Sequence, residues 1–171
     1  MVQILIGYMG SGKSTVGKIM AKEQSLPFID FDNYIEDKEG LSIPELFKTK
    51  GEIYFRKKEA AYLVELLSEE TNAIISLGGG TPCFGNNINV ILEATKNVFY
   101  LKLSVDKLVE RLQKEKVQRP LIKDIANEAL SEFIRKHLFE RNFYYLQAHH
   151  IIAVGNESPS EIANKIMEKS A

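Results

Sequence analysis

The feature that most constrains this chain is a glycine-rich run near its beginning. Residues 7–14 read G-Y-M-G-S-G-K-S and satisfy the pattern G-x-x-x-x-G-K-[S/T], with an apolar run before them and an amphipathic pattern after them. Glycine lets the backbone curl so that successive N–H groups point at phosphate oxygens, and a following helix adds its dipole. The sequence therefore predicts a strand, a phosphate-binding loop (P-loop) and a helix, in that order.

Two side chains of this loop carry the chemistry that a nucleoside triphosphate requires. We expect Lys13 to place its cation on the β- and γ-phosphates of ATP, and the Ser14 hydroxyl to reach Mg²⁺. The loop thus predicts ATP as a ligand and Mg²⁺ as the cofactor. The predicted ATP-binding set is completed by Gly10, Ser11, Gly12 and Thr15.

Outside the loop, short apolar runs alternate with helical patterns along the whole chain, which favours βα units and a parallel sheet. We predict a single α/β domain over residues 1–171, with a five-stranded parallel sheet and helices on both faces (α/β/α). Two of the helices should begin at capping boxes, at 42–45 and 158–161. The strands are predicted near residues 2–6, 27–30, 73–76, 98–103 and 151–154.

Composition excludes several classes of partner. The formal net charge is −1, so no nucleic-acid partner is indicated. The one cysteine cannot form an intramolecular disulfide, which fits a reducing compartment. The first apolar run, residues 2–6, is too short for a membrane span. We expect a cytoplasmic monomer with no membrane partner.

Two carboxylates, Asp30 and Asp32, follow the second predicted strand. If the extended backbone continues there, both point to one face, at the edge of the sheet where the P-loop lies. Asp30 is then available on the metal side with Ser14, and Asp32 could accept the proton of an attacking hydroxyl. On spacing alone, Asp32 is an equally good N-cap of the next helix.

Arginine is scarce in this chain: of 22 lysines and arginines, only five are arginine. Arginine binds carboxylates and phosphates through a planar fork that lysine lacks. Arg119 lies in a charged, aperiodic stretch, residues 114–124, which we predict to be a mobile lid. Arg56 and Arg141 fall on predicted helices, where a solvated face with glutamate partners is the simpler interpretation. No role is assigned to the three histidines, His137, His149 and His150.

Seven short motifs follow one another over essentially the whole chain. Through this ordered set the chain resembles the shikimate kinase family, whereas a P-loop alone is common to many families. The motifs are G-Y-M-G-S-G-K-S-T at 7–15, F-I-D-F-D-x-x-I-E at 28–36, G-L-S-I-P-E-L-F at 40–47, G-E-x-x-F-R-x-x-E at 51–59, G-G-G at 78–80, R-P-L at 119–121 and R-N-x-x-Y at 141–145.

The resemblance implies a P-loop kinase fold, similar to that of nucleoside monophosphate kinases. It also implies transfer of the γ-phosphoryl group of ATP to the 3-hydroxyl of shikimate, in chorismate and aromatic amino acid biosynthesis. Lys13, Asp32 and Arg119 would be catalytic, with Arg119 acting from the lid. Ser14 and Asp30 would serve the metal.

For the substrate, the resemblance implies that Arg56 and Arg141 grip the shikimate carboxylate and that Asp32 holds the hydroxyls. A helical region over about 32–62 would bind shikimate. Phe47, Phe55 and Glu59 would line or support the pocket. The wall of the pocket would be shaped by Gly78, Gly79 and Gly80.

One position departs from the family pattern. Many members carry an arginine, often followed by threonine, seven residues before the lid arginine, where it stacks on adenine. Leu112 stands at this position here, and Gln113 follows it. A one-residue deletion in the loop would bring the neighbouring Arg111 to the same role, so Arg111 is a candidate ATP-binding residue.

Two other functions stay open. A related sugar-acid kinase, such as a gluconate kinase, would also act on a hydroxylated carboxylate. A non-catalytic P-loop binding module would keep the fold but should have lost Lys13, Asp32 or Arg119, and all three are present. A nucleoside monophosphate kinase is disfavoured because no second helix–loop arrangement suited to a base is visible.

Overall fold

A parallel sheet of five short strands forms the centre of the molecule, and each strand coincides with one of the apolar runs of the sequence. The computed structural model describes residues 1–170. Its strands are β1 Gln3–Ile6, β2 Phe28–Asp30, β3 Ile74–Ser76, β4 Val98–Lys102 and β5 His150–Ala153. They lie in the order β2-β3-β1-β4-β5.

The central strand β1 pairs in parallel with β3 and β4, so that Ile4 lies opposite both Ile75 and Val98. All four residues of β1 are buried. A strand that is covered on both faces is expected to be apolar throughout rather than alternating. The predicted five-stranded parallel sheet is therefore confirmed.

Seven helices cover the two faces of this sheet within residues 1–170. Their starts follow local capping chemistry: the hydroxyls of Ser42 and Ser158 accept hydrogen bonds from the backbone N–H groups of Glu45 (3.3 Å) and Glu161 (3.2 Å). Both predicted capping boxes thus begin helices. The helices are α1 Lys13–Gln24, α2 Phe31–Glu39, α3 Ile43–Glu69, α4 Asn87–Ala94, α5 Val105–Glu115, α6 Asn127–Tyr145 and α7 Pro159–Lys169.

Helix α3 is bent at Gly51, whose left-handed backbone (φ 86°) interrupts the helical path. The bend lets the aromatic rings of Phe47, before it, and Phe55, after it, meet with centroids 4.7 Å apart. None of the helices within residues 1–170 is long and apolar enough to cross a membrane.

The extended backbone does not continue from Asp30 to Asp32, and Asp32 is not the N-cap of the next helix either, so neither of the two interpretations of this segment holds. Strand β2 ends at Asp30, and α2 begins at the next residue. The reason is the cap: Asp30, rather than Asp32, accepts a hydrogen bond at Oδ1 from the backbone N–H of Asn33 (3.1 Å). Asp32 therefore lies in the first turn of α2.

The predicted lid segment, residues 114–124, is also less irregular than expected. Helix α5 continues through Lys114 to Glu115 before a 3₁₀ turn over Lys116–Gln118, because lysine and glutamate are good helix formers even without apolar periodicity. Ile122 is fully buried in the core. The part of the segment that is free of regular structure and of core contacts is accordingly shorter than its charge pattern predicted.

Candidate functional site

A cavity of about 530 Å³ lies at the carboxyl ends of the strands, next to the P-loop. It brings together most of the candidate residues from separate parts of the sequence. Ser11, Arg56, Gly80 and Arg141 do not line this cavity and lie beside it. The candidate residues that line it are Gly10, Gly12, Lys13, Ser14, Thr15, Asp30, Asp32, Gly78, Gly79, Arg111 and Arg119.

The P-loop is shaped by Gly10 and Gly12, whose φ angles of 79° and 93° favour glycine. Lys13 is buried, and its ammonium group donates hydrogen bonds to the carbonyls of Gly7 (2.8 Å) and Tyr8 (3.1 Å). Burial lowers the pKa of Lys13 to about 8, although the Asp32 carboxylate opposes this shift. The side chain keeps its proton at neutral pH and supplies a fixed cation at the cavity.

Ser14 and Asp30 form a small oxygen cluster at the base of the cavity. The Ser14 hydroxyl donates to Asp30 Oδ2 (3.1 Å), while Oδ1 of the same carboxylate caps α2. Residues 1–170 contain no group of three or more acidic, histidine or cysteine side chains able to hold a metal on their own. One hydroxyl and one carboxylate fit Mg²⁺, which proteins commonly bind through few ligands together with water and nucleotide phosphates.

Asp32 faces the same cavity from the first turn of α2. Burial, with a smaller contribution from the nearby carboxylates of Asp30 and Glu59 and against the opposing charge of Lys13, raises the pKa of this carboxyl to about 6. A carboxylate with a pKa just below neutral is mostly ionised at pH 7 yet has an appreciable affinity for a proton. Asp32 is thus chemically suited to accept a proton from a bound hydroxyl.

The three glycines at 78–80, here called the glycine wall, leave space that any side chain would fill. A Cβ on Gly78 would lie 2.6 Å from Asp32 Oδ1, and one on Gly80 would lie 3.0 Å from both terminal nitrogens of Arg56 and 3.2 Å from Arg141. The φ angles of the three residues are not in the left-handed region. Close approach of the carboxylate and guanidinium groups, rather than backbone conformation, accounts for glycine here.

Arg56 is held firmly beside this wall. Its guanidinium group donates to Glu59 Oε1 (2.9 Å) and lies over the Phe84 ring, 3.7 Å from the centroid. Glu59 is buried and also accepts from the hydroxyl of Thr81 (2.9 Å). The Nε of Arg56 is buried and has no hydrogen-bond partner within residues 1–170. The arrangement fixes the guanidinium orientation while leaving donor capacity for a ligand.

Arg141 lies on α6 at the other side of the glycine wall and is also buried. No acidic side chain within residues 1–170 forms an ion pair with it. One turn further along α6, the Tyr145 hydroxyl donates to the carbonyl of Gly79. A buried guanidinium group without a carboxylate partner is costly, so this cation is suited to an anionic ligand.

Arg119 and Arg111 approach the cavity from the opposite side. Arg119 is paired with Glu115, whose Oε2 accepts from Nε (3.3 Å) and from a terminal nitrogen (2.8 Å). Arg111 donates to the carbonyl of Gly10 (3.3 Å), whereas Leu112 is buried against the same glycine. The arginine that faces the cavity in this part of α5 is therefore Arg111.

Four residues near the site were missed by sequence reasoning: Tyr8, Glu115, Thr81 and His137. Tyr8 was treated as an unspecified position of the P-loop, and its hydroxyl bonds to His137 Nδ1 (2.8 Å). The available signal was the spacing of His137 and Arg141, which places both on one face of a helix. Glu115 likewise lies four residues before Arg119.

Comparison with known proteins gives a consistent result. A family model described as shikimate kinase matches residues 9–171. A shikimate kinase of Flavobacterium johnsoniae is 48% identical over 166 residues, which is 96% of each chain. The crystal structure of a Bacteroides thetaiotaomicron shikimate kinase superimposes with a TM-score of 0.90 at 35% identity, covering 98% of this chain and 97% of that one. That of an Acinetobacter baumannii shikimate kinase in complex with shikimate has a TM-score of 0.86 at 32% identity, covering 98% and 90%.

Proposed function

The chain belongs to the shikimate kinase family and catalyses ATP-dependent phosphorylation of shikimate in aromatic biosynthesis, and on that premise we propose how its site does so. ATP lies along the P-loop with its phosphates at Lys13. Shikimate lies against the glycine wall, between Asp32 and the two arginines Arg56 and Arg141. The 3-hydroxyl of shikimate then faces the γ-phosphoryl group.

The observation that carries this proposal is the arrangement around the glycine wall. Asp32 lies close to Gly78 at one end, whereas Arg56 and Arg141 both lie close to Gly80 at the other. A ring that carries a carboxylate on one side and hydroxyls on the other matches this polarity. The planar guanidinium groups suit the carboxylate, and the ionised Asp32 suits the hydroxyls.

In the proposed reaction, Asp32 accepts the proton of the attacking hydroxyl as its oxygen bonds to the γ-phosphorus. The bond from that phosphorus to the bridging oxygen breaks, and ADP leaves with the electron pair. Lys13, already fixed by two backbone carbonyls, stabilises negative charge on the phosphoryl oxygens. Arg119 leaves Glu115 and places its guanidinium group on the transferring group when the lid segment closes, which also excludes water. Catalysis is thus mainly positioning and charge stabilisation.

Ser14 and Asp30 would hold Mg²⁺, and Asp30 would do so directly or through water. The ion would neutralise charge on the β- and γ-phosphates when the nucleotide is bound. Arg111, which contacts the P-loop carbonyl at Gly10, is proposed to contact the adenine base. Arg111 lines the cavity, whereas the neighbouring Leu112 is buried and does not, which supports this role.

The test is an assay of ADP release with shikimate, gluconate and nucleoside monophosphates as acceptors, at equal enzyme and ATP concentrations. We expect turnover with shikimate and only background with the others. Preference for gluconate would point to the sugar-acid kinase alternative, and no turnover with any acceptor would point to a non-catalytic P-loop module. We further propose that the chain is a cytoplasmic monomer, and size-exclusion chromatography of the same sample tests its oligomeric state.

A further inference from the structure

Two ring side chains that the proposed mechanism does not use, the buried Tyr8 and the half-buried His137, connect the P-loop to helix α6. The Tyr8 hydroxyl and His137 Nδ1 are 2.8 Å apart, and the two rings meet edge to face with centroids 5.3 Å apart. Tyr8 is almost completely buried. Burial raises the pKa of Tyr8 to about 12, so the phenol keeps its proton and is able to donate it to the imidazole.

The imidazole is able to act as the acceptor of this hydrogen bond. Burial, together with the positive charge of Arg141, lowers the pKa of His137 to about 4. The imidazole is therefore neutral at physiological pH, and its Nδ1 carries a lone pair when the proton is on Nε2. A neutral histidine can also lie near the Arg141 cation without a second positive charge on the same helix face.

Helix α6 presents His137, Arg141 and Tyr145 on one face, because they are spaced by four residues. His137 is bonded to the P-loop at Tyr8, and Tyr145 is bonded to the glycine wall at Gly79. Arg141 lies between these two contacts, with its guanidinium carbon 5.8 Å from the centroid of the Tyr8 ring. Without an acidic partner, Arg141 depends on its neighbours for its position.

We infer that the Tyr8–His137 hydrogen bond is a positioning contact that joins the nucleotide loop to the helix face holding Arg141 and thereby sets the affinity for shikimate. Tyr8 is fixed at its other end, since its carbonyl accepts from Lys13. The contact thus spans the two substrate sites. The inference rests on the proposed role of Arg141 as a ligand of the shikimate carboxylate.

The test compares Tyr8→Phe with Tyr100→Phe by steady-state kinetics. Tyr100 is a matched control because it is equally buried and donates to Asn142 on the same helix (3.0 Å), whereas its hydroxyl bonds to neither Arg141 nor the P-loop within residues 1–170. Its ring also packs against Tyr145 (centroids 5.1 Å apart), a contact that phenylalanine keeps. We expect Tyr8→Phe to raise the shikimate KM about three- to tenfold, the effect of one lost hydrogen bond, with kcat and the ATP KM changed less than about twofold. Tyr100→Phe should lower thermal stability and leave both KM values unchanged.

A second pair of variants tests the same contact from the helix. His137→Asn keeps an acceptor near the position of Nδ1 and should retain a shikimate KM near that of the unmodified enzyme, whereas His137→Leu should behave like Tyr8→Phe. The double variant of Tyr8→Phe and His137→Leu should be no worse than either single change, because both remove one interaction. Should Tyr8→Phe not fold, the two His137 variants decide the question.

Three results would overturn the inference. One is a Tyr8→Phe enzyme that loses stability with an unchanged shikimate KM, as the control does. Another is an equal rise of the shikimate and ATP KM values, which would mean general damage to the loop. The third is strict additivity in the double variant. The Arg141→Lys variant distinguishes failure of this inference from failure of the proposed function. An unchanged shikimate KM in Arg141→Lys would refute the proposed role of Arg141 as a ligand of the shikimate carboxylate.

Discussion

The glycine wall and the lid segment face the same cavity but hold Arg141 and Arg119 in opposite ways. Arg141, beside the wall, is buried and lacks an acidic partner within residues 1–170, whereas the side chain of Arg119 is 37% exposed and paired with Glu115. A buried, unpaired cation is already prepared for its ligand. An exposed ion pair, worth only about 0.2–1 kcal/mol, is easily exchanged for a stronger one.

The two regions should therefore have different roles, one in substrate binding and the other in phosphoryl transfer. Residues at the wall should determine how tightly shikimate binds, because their geometry exists before the ligand arrives. Residues of the lid segment should determine how fast the phosphoryl group is transferred, because their geometry forms only when the segment closes. The predictions below test this division, beginning with the largest expected effect.

The largest effect is expected for Asp32→Asn. Loss of the proton acceptor should lower kcat by about 10²- to 10⁴-fold, with ATP binding retained. The matched control is Asp37→Asn, an exposed carboxylate on the same helix, which should leave kcat unchanged. Normal turnover by Asp32→Asn would exclude Asp32 as the base.

The pH dependence follows from the same carboxyl group. Because the pKa of Asp32 is about 6, kcat/KM should fall as the pH decreases through 6, where Asp32 becomes protonated.

The same shift affects folding stability. Folding raises the pKa of Asp32 from 3.8 to about 6, so the folded state binds the proton more tightly than the unfolded state. The free energy of unfolding should therefore decrease as the pH rises through this range. Asp32→Asn should therefore be more stable than the unmodified enzyme at pH 7, by up to about 1–3 kcal/mol. This advantage should be lost below pH 4. Thermal melts at both pH values measure it.

The second prediction concerns the lid. Arg119→Ala should reduce kcat by about 10²- to 10³-fold, as expected for loss of a group that stabilises transition-state charge, while the Kd for shikimate changes less than about twofold. Arg135→Ala, an exposed arginine on α6, is the control and should be silent. A large loss of shikimate affinity with normal kcat would place Arg119 with the wall rather than with the lid.

The third prediction concerns the wall. Arg56→Lys and Arg141→Lys keep the charge but lose the planar fork, so each should weaken shikimate binding by roughly 1–3 kcal/mol and ATP binding much less. Calorimetric titration with each ligand separately gives the two affinities. Equal losses for shikimate and ATP would contradict the placement of these arginines at the shikimate carboxylate.

The smallest effect is expected for Glu115→Gln, which removes the partner that holds Arg119 away from the nucleotide. The ATP KM should fall by about two- to threefold, since the competing ion pair is worth only a few tenths of a kcal/mol. Glu132→Gln removes a similarly spaced surface pair, with Lys136 on α6 (3.3 Å), and should have no effect on ATP. An increased ATP KM in Glu115→Gln would mean that the carboxylate supports ATP binding instead.

Much of the fold could be predicted because apolar runs and capping residues act locally. Helix α1 follows the P-loop as predicted, and all five strands lie within one residue of their predicted limits. The path after Asp30 could not be predicted, since Asp30 and Asp32 are equally capable caps and only the β2 register decides between them. The end of helix α5 could not be predicted either. The lysines and glutamates near position 115 show no apolar periodicity, and such a charged stretch can be either a helix or a loop.

The part of the candidate site that could be predicted consists of residues whose type alone suggests a chemical role. The P-loop residues, the paired aspartates and the scarce arginines each gave a signal in the sequence. The contacts between side chains from distant segments gave none: Tyr8 and His137 are separated by 129 positions, and Gly79 and Tyr145 by 66. Their pairing depends on how α6 packs against the sheet, which residue types alone do not specify.

The glycine wall has a consequence for how this enzyme changes over generations. A methyl group at Gly80 would press on the guanidinium groups of Arg56 and Arg141 rather than on backbone atoms, and the φ angle there is one that alanine adopts. Such a variant should fold and escape the chaperones and proteases that remove unstable chains. A defect at Gly80 is therefore hidden from cellular quality control, and only the supply of the pathway's product exposes it to selection.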